Sequence, residues 1–486
     1  MDRRHVLQGL GAGITTLSSS ASRAFTRAGP AVQWWSSTQA RPWMVLAGPP
    51  VEKATPNFMA RDVVVGEPAQ EIQGMGGAFS ELGWQAISAL PPARRAQALG
   101  ALFGPGGAAF TLCRTPIGAN DFSRDWYSYD EVDGDFELHS FSTARDRESL
   151  MPFIKAAQAL NPELRFWASP WSPPTWMKTN RHYAQGRNFP GMPDNGIADA
   201  QLVREGSDGF IQDDSYFSAY AGYFRRFVED YAREGIRIDT VMPQNEFNSA
   251  QGFPSCCWTP VGLARFIPHL AREMRAVDVD IVLGTLERAN ARLAAAVLDD
   301  PVVGPLLKGV GLQWAGKGAI DDLKRGYPQL SIWATEQECG TGTNDWHYAR
   351  YGWSLMKRYL NGGASVWQYW NMALPQPGKS TWGWAQNALV SVDVQRGTFV
   401  LTPDYWVMKH LSSRVRPSAR FLPTSSMSGF ENQLAFRNPD GEVVIVIHNE
   451  MAQSLKVNIV IGDLQVAPVL PADSFNTLAI PSGAFG

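Results

Sequence analysis

DTVMPQNE (239–246) and LSIWATEQE (330–338) are the two runs on which the architecture turns. Each is a short apolar stretch that ends in carboxylates, and each is followed by a segment with helical spacing. Working outward, six further runs share that character: EIQGMGGAF (71–79), AFTLCRTPIG (109–118), LRFWASPW (164–171), DIVLGTLE (280–287), VGLQWAG (310–316) and ASVWQYWNM (364–372). Apolar runs alternating with amphipathic helices predict parallel strands joined by crossover helices. Eight such strands are the number a closed barrel needs. The expected fold is therefore α/β, a (β/α)8 TIM-type barrel over residues 70–416.

The intervening helices carry their own start and stop signals. Pro91 to Leu102 opens on proline, Glu148 to Leu160 and Asp213 to Glu234 open on acidic residues, and Thr259-Pro260 makes an N-cap and first-turn pair for Val261 to Val277. Trp346 to Leu360 stops before Gly362-Gly363, and Tyr405 to Val415 supplies the last barrel helix. The segment 172–212 is long, polar and rich in Gly and Pro. Following the third strand, it should lie over the barrel mouth, where binding loops collect.

Both ends read differently. Residues 417–486 alternate short strands with turns: LAFRN, the turn Pro439-Asp440-Gly441, then VVIVIHNE, LKVNIVIG and SFNTLAI. This predicts an antiparallel β-sandwich domain. Within 25–69, VQWWSS (32–37) and VVVG (63–66) are strand-like and should join the C-terminal set, since lone strands are unstable. Residues 1–24 have the form of a twin-arginine leader: Arg3-Arg4, the weakly apolar VLQGLGAGITTL (6–17), then SSSASRA. That places the mature start near residue 25 and the protein outside the cytoplasm, periplasmic or secreted. The apolar stretch is too short to span a bilayer, so no transmembrane segment is expected.

The net charge of -3, with no dense Lys/Arg stripe, argues against a nucleic-acid partner. Cysteines stand only at 113, 256, 257 and 339, too few for a disulfide scaffold and without a C-x2-C pair, so no zinc site is expected; a single bridge stays open. The 18 tryptophans fit either a large aromatic core or indole faces that stack on pyranose rings, and composition does not decide between them.

Glu246 and Glu336 fall at the C-terminal ends of strands four and seven, the face where barrel active sites lie. Two carboxyls about 5–5.5 Å apart are what a retaining glycosidase needs: one protonates the leaving oxygen, the other attacks the anomeric carbon. Glu338 shares the strand face of Glu336 and is the rival nucleophile. Glu336 is preferred because the apolar part of the strand ends beside it. Asn245, just before the acid, is placed to hydrogen-bond a sugar 2-OH.

ASPWSPPTWMKTN (168–180) resembles the third-strand signature of glycoside hydrolase family 30, which includes the glucosylceramidases. RTPIG (114–118) with Asp121-Phe122-Ser123, then Gln244-Asn245-Glu246, Ala334-Thr335-Glu336 and WNMAL (370–374), are similar too. The resemblance implies a retaining β-glycosidase without metal or organic cofactor, with Glu246 as acid/base and Glu336 as nucleophile. It implies that Asp121 and Trp171 bind sugar hydroxyls, that Asn245 holds the 2-OH, that Trp370 lines or stacks on the sugar, and that Arg114 keeps the nucleophile ionised. One departure stands out. Lysosomal relatives carry a tyrosine near the end of strand six, where Ala315 falls here. The expected substrate is a β-glucoside or β-glucan, glucosylceramide among the candidates. An endo-β-1,6-glucanase, a β-xylosidase and a catalytically inactive carbohydrate-binding barrel are the alternatives. The aglycone and the oligomeric state are not legible.

Overall fold

The computed structural model describes residues 31–55, 57 and 61–485; the leader read at 1–24 lies outside them. Eight parallel barrel strands follow in order: Gly74–Ala78, Leu112–Ile117, Arg165–Pro170, Ile238–Val241, the pair Asp280–Ile281 and Leu283–Leu286, Gly309–Gln313, Ser331–Glu336 and Ala364–Asn371. The ladder starts at Asp280–Ile281 and ends at Leu283–Leu286, two consecutive pieces of the fifth strand, so the sheet closes on itself. Leu112, Trp167, Met242, Val282, Trp333 and Val366 fill the interior. Trp167 and Trp333 meet edge to face with centroids 5.9 Å apart. Side chains that large need small neighbours: a Cβ on Gly311 would come within 2.8 Å of Thr335 Cγ2 and 2.9 Å of Met242 Sδ.

Helices cover the outside where the sequence places them. Thr259 caps Pro260–Ala276 through the Gly262 N–H, and Asp213 caps Asp214–Arg233 through the Ser215 N–H. The last helix begins earlier than its apolar pattern suggests, at Pro403, because Thr402-Pro403 repeats the same cap-and-proline start. Glu148 ends a 3-10 turn rather than opening a helix, and Leu150–Gln158 follows it.

EIQGMGGAF is not one strand. Glu71–Ile72 pairs antiparallel with Ala419–Leu422, in the sheet of the β-domain, and only Gly74–Ala78 enters the barrel. The boundary thus falls at Gln73, not at 70. That sheet has seven strands, in the order Met44–Leu46, Gln33–Thr38, Ser474–Ile480, Val443–Asn449, Gln433–Arg437, Ala419–Leu422, Glu71–Ile72. It packs on a five-stranded sheet containing Val63–Val65 and Ile459–Ile461. Both N-terminal strands therefore pair within the C-terminal domain. All four cysteines are buried free thiols.

The loop after the third strand is fastened by a buried cation. Lys178 Nζ donates to Ser172 Oγ at 3.0 Å, Tyr183 O at 2.6 Å and Ser255 O at 2.7 Å, joining it to the loop after strand four. Burial pulls this amine down to about 8. Lys178→Met keeps the stem but leaves those oxygens unpaired. It should destabilise the fold by about 3 kcal/mol, read as a lower urea midpoint at unchanged slope; an unmoved midpoint would show that the contacts contribute nothing net.

Candidate active site

Arg114, on the second strand, is wholly buried, and every guanidinium nitrogen is engaged. Nη1 donates to Glu336 Oε2 at 2.8 Å, Nη2 to Asn245 Oδ1 at 2.7 Å and Ser169 Oγ at 2.8 Å, and Nε to the same hydroxyl at 3.3 Å. Three indoles cradle it, Trp171 at 4.2 Å, Trp167 at 4.7 Å and Trp370 at 5.5 Å from the guanidinium carbon. Burial lowers the Arg114 pKa only to about 10, because Glu336 supports its charge, so it stays cationic.

Glu336 is the last residue of strand seven, as its sequence position suggests. Glu246 is not on a strand: the fourth ends at Val241, and the chain continues across the mouth, held by Asn245 N–H to Pro170 O at 2.8 Å and Glu246 N–H to Thr285 Oγ1 at 2.9 Å. Glu246 sits at φ 48°, a left-handed turn. A single amide spans the two acids. Gln313 Nε2 donates to Glu246 Oε1 at 3.1 Å and Glu336 Oε2 at 3.2 Å, and its oxygen accepts from Thr335 Oγ1 at 3.1 Å, which fixes its orientation. The two oxygens are no farther apart than those two hydrogen bonds laid end to end. That ceiling lies short of the ~6.5–9.5 Å an intervening water requires.

Burial raises both carboxyls. For Glu336 the rise is opposed by Arg114, by the Trp314 indole N–H, 2.8 Å from Oε1, and by Gln313. Glu246 has no cation beside it. Burial, then the negative charge of Glu336, push it to about 8, against the Gln313 amide and that of Gln251, 3.1 Å from Oε2. The environments separate a proton holder from a carboxylate, as two roles on one bond demand.

The acids open into a cavity of about 480 Å³ whose lining includes Asp121, Trp171, Asn245, Gln251 and Trp314. Asp121 is pushed to about 8 by burial and then by Glu336, with Arg114 and the Trp370 indole working the other way. Asn245 spends its oxygen on Arg114, Gln313 and Thr285, so only its NH2 is left to donate to a ligand. Trp370 does not line the cavity; it stacks behind Trp171, centroids 5.3 Å apart. Glu338 points elsewhere, paired with Lys317 and accepting from Tyr351 OH at 2.6 Å. Ala315 is exposed, and the neighbour that reaches Glu336 is Trp314, turned inward by its left-handed backbone at φ 47°. Gln313, Trp314, Gln251, Ser169 and Thr285 went unassigned in the sequence. Gln313 alone had a signal, a polar amide inside an apolar barrel-strand run; the structure ends the strand there and pairs it with Glu336. Among the described residues no cluster of three or more His, Cys, Asp or Glu side chains could hold a metal ion, and no helix is long and apolar enough to cross a membrane.

A parallel eight-stranded barrel with paired acids at its mouth and an appended β-sandwich defines a glycoside hydrolase. The chain belongs to glycosyl hydrolase family 30: the family's TIM-barrel domain matches residues 72–415 and its beta sandwich domain residues 423–478. It is similar to the lysosomal acid glucosylceramidase of Mus musculus, 26% identical over 441 residues, 84% of this chain and 81% of that one. It is equally similar to the endo-1,6-beta-D-glucanase neg1 of Aspergillus fumigatus, 26% over 460 residues and 90% of each. Among solved structures, SrfJ from Salmonella typhimurium superposes with a TM-score of 0.81 at 23% identity, covering 93% of this chain and 99% of that one.

Removing the indole donor tests the reading of Trp314. In Trp314→Phe the Glu336 carboxylate loses one hydrogen bond to its charged form. The acid limb of kcat/KM on an aryl β-glycoside should move to higher pH, and the optimum should fall roughly tenfold. An acid limb that stays in place would show that the N–H does not act on Glu336.

Proposed function

We propose that the protein hydrolyses β-glucosidic bonds with net retention, as a β-glucosidase of the glucosylceramidase type. The observation that carries this reading is the Gln313 amide within 3.2 Å of both Glu246 and Glu336, at the end of a cavity that also holds Asp121 and Trp171. Glu336, ionised beside Arg114, attacks the anomeric carbon while protonated Glu246 gives its proton to the departing oxygen. The deprotonated Glu246 then takes a proton from water, which attacks the glycosyl-enzyme and releases the sugar. The Asn245 NH2 meets the 2-OH of the reacting ring, where the hydrogen bond strengthens in the transition state. The glucosylceramidase and endo-1,6-glucanase names of the relatives support glucose as that ring, and the endo-β-1,6-glucanase is the second reading.

Glu246→Gln should lower kcat/KM on unactivated β-glucosides by roughly 10²–10⁴-fold, and Glu336→Gln should abolish turnover. Near-normal rates in either variant would overturn the assignment. A 2-deoxy-2-fluoroglucoside should trap a glycosyl-enzyme whose labelled peptide carries the sugar on Glu336; a label on Glu338 reverses the choice of nucleophile.

The pH profile follows from the charges. Activity requires Glu246 protonated, and its raised pKa keeps it so until about 8, so kcat/KM should fall as pH rises through that value. Glu246→Gln should remove this alkaline limb on substrates with activated leaving groups. A limb that persists in the variant belongs to another residue.

We also propose export through the leader, supported by Arg3-Arg4 and the apolar run after it. Terminal sequencing of the exported chain should start near residue 25, and an intact Met1 would refute cleavage.

A further inference from the structure

A chain of hydrogen bonds leads away from Glu246. Its Oε2 accepts from Gln251 Nε2 at 3.1 Å, the same nitrogen lies 2.9 Å from Ser249 Oγ, and that hydroxyl stands 3.2 Å from Glu287 Oε2. Glu287 directly follows the fifth strand, which ends at Leu286. It pairs with Arg288, which donates to Glu205 Oε1 at 2.6 Å. No step of the bond cleavage uses Ser249 or Glu287.

The direction of each bond follows from what the groups can offer. A carboxylate only accepts, so the single Ser249 hydroxyl proton goes to Glu287. The Ser249 oxygen is then left to accept, and the end of the Gln251 amide that faces it must be the NH2 group. An amide that turns over exchanges its nitrogen for its oxygen, so the choice made at Ser249 also decides which atom meets Glu246. The Gln251 backbone has no such freedom: its N–H donates to Ser255 Oγ at 3.2 Å, and its carbonyl accepts from Gln185 N–H at 3.1 Å and Gly186 N–H at 2.8 Å. Orientation matters because of the proton. An amide N–H stabilises ionised Glu246, whereas an amide oxygen would accept from the protonated acid and stabilise that form instead. The charges facing Glu246 are Glu336 on strand seven, Asp121 beyond strand two and Arg114 on strand two, while Glu287 and Arg288 line the same cavity. Burial, then the Glu336 charge, make Glu246 a weak acid. A turned amide would weaken it further and slow the release of the proton that the departing oxygen needs.

We infer that Glu287 is a positioning residue for Glu246, acting through Ser249 to keep the N–H side of the Gln251 amide on the acid. This rests on the reading of Glu246 as the acid/base and adds to it a residue outside the reacting pair that sets the strength of the acid.

The test is the alkaline limb of kcat/KM on phenyl β-glucoside, measured with the intact enzyme and its variants. Ser249→Ala changes no charge but releases the amide, and should move the limb to higher pH by up to about one unit. Gln251→Met removes the N–H outright and should move it the same way. Two substitutions of Glu287 separate orientation from charge. Glu287→Met and Glu287→Gln lose the same negative charge, but the glutamine keeps an oxygen, which the Arg288 guanidinium favours on the Ser249 side. The limb of Glu287→Gln should therefore lie below that of Glu287→Met. A carboxylate acting only through space disfavours ionised Glu246, so its loss would lower the limb equally in both. That equality, or a limb unmoved in Ser249→Ala, overturns the inference. A wild-type limb that persists in Glu246→Gln on a dinitrophenyl β-glucoside overturns the acid assignment itself, and so separates the two failures.

Discussion

One guanidinium serves three buried carboxyls, and that shortage of positive charge organises the site. Arg114 touches Glu336 directly and has no direct contact with Glu246 or Asp121. Burying an ion pair costs desolvation free energy on both partners unless the remaining donors and acceptors are met. Here they are: Ser169 and Asn245 take the other guanidinium protons, and indole faces cover the plane. Glu336 is accordingly the carboxyl whose charged form is best supported, although burial still raises its pKa. Glu246 and Asp121, with no cation of their own and the Glu336 charge nearby, are held near 8 and remain protonated at neutral pH.

The parts that set those charges stand on the stiffest elements. Arg114, Ser169, Gln313 and Glu336 belong to strands two, three, six and seven, so their separation is the separation of barrel strands. Asn245 and Glu246 lie past their strand and are pinned to the third and fifth by backbone hydrogen bonds. The β-domain packs against the last two barrel helices, Trp346–Asn361 and Pro403–Ser412. His410 of the last barrel helix bridges Ser37 Oγ at 2.8 Å and Thr477 Oγ1 at 2.9 Å, on the adjacent strands Gln33–Thr38 and Ser474–Ile480 of its larger sheet. Burial holds that imidazole down to about 3, so the bridge stays neutral over the pH range in which the acids work. The chain enters the barrel from that sheet at Glu71–Ile72 and returns to it after the last helix, which makes the sandwich part of the barrel's support.

What the sequence made legible was what repeats. Apolar runs at regular intervals gave all eight barrel strands, and cap residues such as Asp213 and Thr259 marked helix starts within a residue. Glu336 could be read because it directly ends an apolar strand. Glu246 was legible as a residue, but its place was not: Pro243, which has no N–H for a ladder, was the one sign that the strand stops at Val241, and nothing marked the left-handed turn at Glu246. Glu71–Ile72 continues the hydrophobic pattern of its neighbour yet pairs with the other domain, because pattern records burial and not the partner that provides it. The same limit explains Trp370: a buried indole next to the site reads identically whether it faces the cavity or backs the indole that does.

Trp314 shows how a local turn decides which side chain reaches a carboxyl. By sequence position the neighbour of the nucleophile was Ala315, which has no polar group to offer. The register of the sixth strand shifts between Leu312 and Gln313, and Trp314 then adopts φ 47°, which swings its indole over Glu336. Lys317 accepts the role of holding that turn, donating to Trp314 O at 3.1 Å while paired with Glu338. The rival carboxylate therefore acts at one remove, on the backbone that carries the donor. An indole N–H can only donate and does not ionise in the working range, whereas a phenol can donate or accept and can lose its proton. With tryptophan there, every group touching Glu336 favours its charged form at all working pH values. Glu246 is then the one acid of the pair that no cation restrains, and burial beside the Glu336 charge favours its protonated form.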